Sequence, residues 1–399
     1  IHLFMKNNSY SLSYIRVLYA MWLVRTVLSY LLTYRKSLLI ADQKEYIASI
    51  TGLILNVVSY LAIILLVTWE QNYLLALGIG TVTEVVLNIW ISWYVEQKYP
   101  FLRQRRKEKS TSSLTKRIVR DLKSLFISRI SEKMLYCTDN LIISGFIGVG
   151  TVGRYANYCM ITQAISNILT ILANTIQPTV GDYFTEKNRQ RNYEILRQLT
   201  FGFFCIASVV SVGLFSLITP FVRDIWLGPS YELGWGITVF CIVVLLVRIM
   251  GLPLSLVMGV TGLFEKEKNV GASSALLNLI VSLALVKPYG MAGVLLGTLL
   301  SYLLQILYRY IIYFRDFLEM PGEALRYAQD IGEYLAVIAG EVLLMQKIVP
   351  LIYGAGGMLL FCVCFLLCIA IPLLLDLVIF GRGWRLQSIV TMVKGMRKA

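Results

Sequence analysis

Charged and polar side chains recur at helical spacing within the otherwise apolar stretch 129–158, and they are the residues of this chain that could do chemistry. The following side chains are three or four residues apart and share one face of a predicted helix: Arg129, Lys133, Tyr136 and Asn140. Glu132 and Asp139 lie on the neighbouring stripe of the same helix. Ionisable groups inside an apolar helix are costly unless they face a protein interior or a wet cavity. We therefore expect this helix to face water or a charged ligand, and not lipid.

A second helix is predicted after the glycine-rich break at 148–153, and it continues the polar surface. It carries Arg154, which joins Arg129 and Lys133 as the strongest cationic set, because arginine and lysine in a low-dielectric cavity attract phosphate. A stripe with steps of three or four residues then ends at Pro178: Gln163, Asn167, Thr170, Asn174 and Gln177. Such side chains either line a cavity or hydrogen-bond a neighbouring helix, at about 0.6 kcal/mol each, and the sequence leaves both interpretations open.

Other ionisable residues lie inside or near the ends of predicted spans. Arg25 and Arg248 either face the cavity or extend to the membrane surface. Glu84 either accepts a proton or forms an ion pair with Arg25, and the ion pair is the favoured interpretation. Together with Asp139 and Glu132, Glu84 is a candidate for ion coupling. We expect three residues near span ends to reach the membrane surface: Arg16, Lys287 and Asp376.

Composition places the chain among membrane proteins that cross the bilayer many times. Of its 399 residues, 57% are hydrophobic and 15% are charged, against about a quarter charged in soluble domains. The net charge of +14 is typical of the excess of Lys and Arg in cytoplasmic loops, so we expect no nucleic-acid partner. The only histidine is His2, and no two cysteines form a CxxC pair. No metal site is therefore predicted.

Two further features of the sequence argue against catalysis. The chain has no GxxxxGK[ST] phosphate-binding loop, and hence no built-in ATP-driven motor. The longest predicted outer loop, near 221–235, is too short for a catalytic domain, and its acidic residues are too sparse for general acid–base work. We therefore expect a transporter without a cofactor, and not an enzyme.

Long apolar runs determine the predicted fold class, since a membrane-spanning helix needs about 20 residues. About eleven runs qualify, and their continuous apolar character is unlike the alternation of transmembrane strands. They lie near 11–33, 48–69, 73–95, 125–147, 153–179, 199–219, 236–258, 270–287, 291–313, 331–349 and 357–380. We predict an all-α polytopic membrane protein. The Lys/Arg-rich loops, above all 103–123, place the C-terminus in the cytoplasm.

An internal repeat predicts two lobes. Residues 42–62 resemble residues 264–284, and Asn56 matches Asn278 at a constant offset. Parallel repeats of this kind are a transporter architecture. If the repeating unit has six helices, about three spans precede Ile1. The predicted parts are a truncated N-terminal lobe (1–102), a basic cytoplasmic linker (103–123), a C-terminal lobe (124–317) and an extra helix pair with a basic tail (318–399).

The segment 138–158, TDNLIISGFIGVGTVGRYANY, with the polar stripe and the Gln177-Pro178 pair that follow it, resembles the polysaccharide flippases that export O-antigen, capsule and teichoic-acid type units. These flippases are part of an exporter superfamily that includes the multidrug/toxin extruders and the lipid II flippases. The segment 35–47, RKSLLIADQKEYI, is similar to the loop between the fourth and fifth helices of that family. The resemblance implies 12–14 helices in two lobes around a largely cationic cavity, of which this chain would hold helices four to fourteen.

The resemblance and the cationic face together predict a flippase for an undecaprenyl-pyrophosphate-linked oligosaccharide in the bacterial cytoplasmic membrane, serving cell-surface polysaccharide biosynthesis. Arg129, Lys133 and Arg154 would bind the pyrophosphate and acidic sugars. Sugar hydroxyls would be bound by Asn140, Asn157, Tyr158, Asn167 and Asn174. Further cavity residues would be Tyr136, Arg25 and Arg248. A gradient of protons or Na⁺ is the candidate driving force for rocking of the lobes, and polysaccharide-assembly proteins are candidate partners.

The alternative is an ion-coupled exporter of small cationic compounds with the same fold. Its cavity should be acidic and aromatic. Here the cations Arg129, Lys133 and Arg154 outnumber the acids Glu132 and Asp139 on the key helix pair, so we rank it lower. A polytopic membrane enzyme ranks third because the outer loops are short.

Overall fold

The computed structural model describes residues 12–30, 33–42, 44–70, 73–103, 137–184, 188–354 and 356–381. Within these ranges the chain is helical and has no strand, which confirms the predicted all-α class. Nine of the described helices are long and apolar enough to cross a membrane. The chain divides into two compact units, represented by the described parts of 12–103 and of 137–381.

The first unit consists of four helices around a small apolar core. They are α1 (Leu12–Tyr30), α2 (Thr33–Ala41), α3 (Glu45–Glu70) and α4 (Tyr73–Lys98), followed by the 3-10 turn Pro100–Arg103. α4 packs against the other three. The buried apolar core consists of Leu39 from α2, Ala48 from α3, and Ile91 and Val95 from α4. Most of α3 is apolar and exposed, as expected of a helix that faces lipid.

The second unit has a longer series of helices, of which the first is described only over 137–146 and is called α5. The others are α6 (Val149–Tyr183), α7 (Arg189–Pro220), α8 (Trp235–Val260), α9 (Phe264–Tyr289), α10 (Met291–Ile312), α11 (Pro321–Tyr353) and α12 (Met358–Phe380). π-helical turns extend α7 over Phe221–Trp226 and α10 over Tyr313–Leu318, and a 3-10 turn covers Pro229–Tyr231.

α7 is the central helix of this unit. It packs against α8, α11 and α12, while α8 also packs against α6 and α10. The apolar stretch of α7 is accordingly the most buried among the candidate spans of the described chain. A helix that is apolar on most of its sides is stable only when it is enclosed, and this explains why Phe201 and Phe204 lie fully inside.

Small residues let α9 and α10 approach closely as an antiparallel pair. Gly290 turns the chain between them at φ 58°, where a side chain would be strained. A Cβ at Gly293 would overlap the carbonyl oxygen of Leu285, and one at Gly297 would overlap Ser282 Oγ. Close packing through small residues is a common contact between membrane helices, and here it brings polar side chains of α9 and α10 together.

The candidate spans of the described chain correspond to nine of the eleven predicted ones. The predicted span 11–33 is helical as α1 but is not among the nine, and the span 125–147 is described only over α5. The two helices that contain the sequence repeat, α3 and α9, each have 26 residues. The four-part division of the chain stays a prediction, because the linker lies largely outside the described residues.

Candidate functional site

A buried polar cluster joins α5, α9 and α10 around Asp139, which is 4% exposed. Thr298 Oγ1 donates to Asp139 Oδ2 at 2.7 Å, and Asn278 Nδ2 lies 3.5 Å from Asp139 Oδ1. Asn278 Nδ2 also donates to Thr298 Oγ1 at 2.9 Å, and Thr138 donates to Asn278 Oδ1 at 3.0 Å. The carboxyl is therefore held by a closed set of neutral partners from two other helices.

The chemistry of this cluster suits a small cation. In the part of the chain that the structure describes, no Lys or Arg contacts Asp139, although a buried carboxylate without a partner charge is costly. Its surroundings are rich in oxygen, from the carboxyl, the Thr138 and Thr298 hydroxyls and the Asn278 amide, and hard cations prefer oxygen ligands. Among the described residues, no group of three or more His, Cys, Asp or Glu side chains is arranged to hold a metal ion. One carboxylate balances a monovalent cation or a proton.

The polar stripe of α6 forms an exposed face. Gln163 Nε2 donates to Asn167 Oδ1 at 3.0 Å, and Thr170 Oγ1 donates to the carbonyl of Ser166 at 2.8 Å. Both bonds run along α6, and Asn167, Thr170 and Asn174 are exposed. Over the described residues these side chains do not bond a neighbouring helix, which favours the cavity-lining interpretation. Arg154 is exposed near the start of the same helix.

The stripe ends at a cavity beside the end of α8. Its volume is about 300 Å³, and it is lined by Asn174, Gln177, Pro178, Gly181 and Val260. This volume is at the lower end of the range for small-molecule pockets. Two amides beside an apolar wall can hydrogen-bond a polar ligand while excluding part of its hydration.

Three predicted cavity residues of this unit also make contacts within the protein. Tyr158 is fully buried, and its hydroxyl accepts a hydrogen bond from the backbone N–H of Leu233 at 3.2 Å. Asn157 Nδ2 donates to a carbonyl of its own helix at 3.1 Å. The Arg248 guanidinium lies over the ring of Tyr302, with its Cζ 5.5 Å from the ring centre. Tyr158 therefore packs in the core, and we leave it out of the proposed sugar contacts.

In the first unit, Arg25 and Glu84 form the ion pair that the sequence favoured. Arg25 Nη2 lies 3.6 Å from Glu84 Oε1. The guanidinium fits closely against Gly80, where a Cβ would lie 3.0 Å from Arg25 Nη1. One turn after Glu84, Asn88 Nδ2 donates to two carbonyls of α1 at 3.3 Å each. These polar groups of α1 and α4 hold the two helices together.

Four predicted site residues lie outside the described part of the chain: Arg129, Glu132, Lys133 and Tyr136. Asn140, on the same predicted stripe, is described and exposed, one residue from buried Asp139. Asn278 and Thr298 were not selected from the sequence as site residues. The available signal was weak, because one amide or hydroxyl in an apolar run usually packs against another helix.

The segment 35–47 contributes an ionic contact outside the candidate spans. Lys44 donates to Asp42, and this bond holds the pKa of Asp42 below its usual value. The Tyr99 hydroxyl donates to Asp42 Oδ2 at 2.5 Å, which raises the pKa of Tyr99. The contact ties the loop after α2 to the end of α4.

Comparisons with known proteins agree with this architecture. A family model described as "Polysaccharide biosynthesis protein" matches residues 1–184, and no match is found among curated protein sequences. The fold is similar to that of a solved structure, "Lipid II flippase MurJ, inward closed conformation", with a TM-score of 0.64 and 15% identity, over 88% of this chain and 71% of that chain. The nine long apolar helices of the described chain and the shared fold indicate a multi-pass membrane protein with the fold of that flippase, and the first 184 residues of this chain match the polysaccharide-biosynthesis family model.

Proposed function

We propose that this protein moves an undecaprenyl-pyrophosphate-linked oligosaccharide between the leaflets of the bacterial cytoplasmic membrane, for cell-surface polysaccharide biosynthesis. The work is transport and not catalysis. The observation that carries the proposal is the exposed face of α6, which begins near Arg154 and continues through neutral amides to the cavity at Asn174 and Gln177. The family pattern over residues 1–184 and the fold shared with a lipid II flippase support a lipid-linked substrate.

The substrate's two chemical parts match two kinds of side chain. A pyrophosphate carries negative charge, and arginine binds it through paired N–H donors. We assign this part to Arg154 together with Arg129 and Lys133. Sugar hydroxyls both donate and accept hydrogen bonds, as amide side chains do. We assign this part to Asn140, Asn157, Asn167 and Asn174.

A cation at the Asp139 cluster would drive the cycle. The carboxyl has neutral donors from α9 and α10, so binding or release of a proton or Na⁺ changes the net charge of the cluster between α5, α9 and α10. Electrostatic attraction between the ion and Asp139 would stabilise the packing of α5 against the other two helices. A ligand shifts a conformational equilibrium only by its difference in affinity for the two states, and this cluster, made by three helices, provides such a difference.

The alternative cargo, a small organic cation, fits the described face less well. Its binding site needs acidic or aromatic groups. The stripe from Gln163 to Gln177 is made of amides and a hydroxyl, and the acid Asp139 is buried. Neutral hydrogen-bonding groups favour a sugar.

The experiment measures the initial rate at which a fluorescent lipid-linked oligosaccharide crosses proteoliposomes that contain the complete protein as encoded in the cell. Asn167→Ala with Asn174→Ala removes two neutral hydrogen-bonding groups, about 1 kcal/mol each. We expect a rate roughly 30-fold lower. The matched control is Thr175→Ala on the same helix. Its hydroxyl donates within α6 to the carbonyl of Ile171, so the transport rate of this variant should stay unchanged.

An experiment in cells distinguishes the two candidate cargoes. Cells that lack the protein should lose surface polysaccharide and accumulate the lipid-linked unit on the cytoplasmic side. Arg129→Ala with Lys133→Ala should give the same loss in a protein that reaches the membrane in normal amount. If cells without the protein keep normal polysaccharide and become sensitive to cationic drugs, the proposal fails and the alternative is supported.

A further inference from the structure

A second buried acidic site lies where α7, α11 and α12 meet. Glu341 of α11 is 3% exposed and Asp376 of α12 is 4% exposed. The expectation that Asp376 reaches the membrane surface is wrong, because α12 packs this side chain inward against α7. Both acids therefore lie inside the junction that α7 makes with α11 and α12.

Few polar groups compensate this pair. Ser208 of α7 donates to Glu341 Oε2 at 2.6 Å. Glu341 Oε1 and both carboxyl oxygens of Asp376 have no hydrogen-bond partner among the described residues. Among the described residues, the titratable groups that face the pair are the two carboxyls themselves and the Cys205 thiol. Three buried carboxyl oxygens therefore lack a donor, which native interiors rarely tolerate.

No cation of the described chain neutralises the pair. Neither carboxyl has a Lys or Arg among its described electrostatic partners. Asp330 of α11, which is paired with Arg197, is eleven residues before Glu341, about 16 Å along the helix. Arg197 is already bound there by two bonds of 2.6 and 3.0 Å. Arg197 therefore does not serve the Glu341–Asp376 pair.

Aromatic rings close one end of this site. Phe204 stacks on Tyr334 with 4.4 Å between ring centres, and Phe380 lies 5.5 Å from Phe204 and 5.7 Å from Tyr334. Phe380 is one helical turn beyond Asp376 on α12. The three rings form a packed apolar layer on that side of the two acids.

We propose that Glu341 and Asp376 form a proton-binding site in which at least one of the two carboxyls is protonated at neutral pH. Two ionised carboxylates buried at one helix junction, without a cation among the described residues, repel each other in a low-dielectric interior, so one of them keeps its proton. The bound proton gives that carboxyl a donor of its own. This site is separate from the Asp139 cluster in its residues and its helices, and it does not depend on the identity of the cargo.

Release of the proton would leave two negative charges at the junction of three helices. The repulsion acts between α11 and α12, and both pack on α7. The attachment of this helix pair to the rest of the unit therefore depends on pH. Below the pH at which the site loses its proton the junction is intact, and above that pH the junction is weakened.

The test is an infrared titration of the purified complete protein, which records the carbonyl band of protonated carboxylic acids. The wild type should lose the band of one acid per molecule as the pH rises above neutral. Glu341→Gln with Asp376→Asn should remove that band at every pH. Each single variant should keep an acid that titrates at lower pH, since the repelling neighbour is gone. Asp316→Asn is the control, because Asp316 is paired with Arg315 at 2.7 Å and should be ionised.

Thermal unfolding of the same variants shows whether they fold. Both substitutions keep the shape of the side chain, and the double variant should unfold at a temperature that no longer falls as the pH rises. The proposal is overturned if the wild-type spectrum shows no titrating acid, or if the double variant keeps the titrating acid of the wild type. A band that Na⁺ displaces at constant pH also overturns it, because the site would then be a sodium site.

Discussion

The Asp139 cluster allows a quantitative prediction for Thr298→Val. Valine has nearly the shape of threonine but lacks the hydroxyl that donates to Asp139 Oδ2 at 2.7 Å and accepts from Asn278 at 2.9 Å. A hydrogen bond to an ionised group contributes about 1.5–3 kcal/mol, and a neutral one between membrane helices about 0.6 kcal/mol. The free energy of unfolding should fall by about 2–4 kcal/mol if Asp139 is ionised.

The same substitution reports the charge of Asp139. If the carboxyl carries a proton in the buffer used, both lost bonds are neutral and the cost is only about 1 kcal/mol. The assay is unfolding of the purified protein in detergent, followed by tryptophan fluorescence, with and without Na⁺. Sodium that binds the folded state adds stability, about 2.7 kcal/mol at a hundredfold excess over its dissociation constant. This gain should be lost in Asp139→Asn.

The control for Thr298→Val is Thr298→Ser, which keeps the hydroxyl and removes one methyl group. A double-mutant cycle with Asp139→Asn isolates the bond between the two side chains. If the valine variant is as stable as the serine variant, the hydroxyl contributes nothing and the reasoning about the cluster is refuted.

Two further substitutions test the packing of the second unit by thermal or denaturant unfolding. Asp330→Asn removes the charge that binds Arg197 through hydrogen bonds of 2.6 and 3.0 Å. Because this pair is only partly exposed, the free energy of unfolding should fall by about 2 kcal/mol, between the values for surface and buried pairs. A change below about 0.5 kcal/mol would contradict this expectation. Gly293→Ala puts a methyl group into the space of the Leu285 carbonyl oxygen and should lower the free energy of unfolding by about 1–3 kcal/mol. The control is Gly202→Ala, whose methyl group meets nothing within 4 Å and should be neutral or slightly stabilising. Equal effects of the two substitutions would refute the close contact of α9 and α10.

The sequence predicted the helices well because each span is a long apolar run, a signal that does not depend on tertiary contacts. It also singled out Asp139, whose charge is conspicuous in such a run. It did not identify Asn278 and Thr298 as its partners, because hydrogen bonds between helices depend on rotation and depth, which periodicity leaves undetermined. The prediction for Asp376 was wrong for the same reason. This residue is four residues from the end of α12, where a side chain can point to the membrane surface or to the interior, and the packing of α12 against α7 places it inside.

The two proposed ion sites of the second unit differ in the donors around them, and this difference predicts different ions for them. Asp139 receives hydrogen bonds from Thr298 and Asn278, so in the proposed transport cycle it would stay ionised when an ion leaves and would exchange Na⁺ or a proton. Glu341 and Asp376 have only the Ser208 hydroxyl, so the cost of losing their proton is higher. Sodium should therefore stabilise the Glu341→Gln variant as much as the wild type, while it should leave Asp139→Asn unchanged.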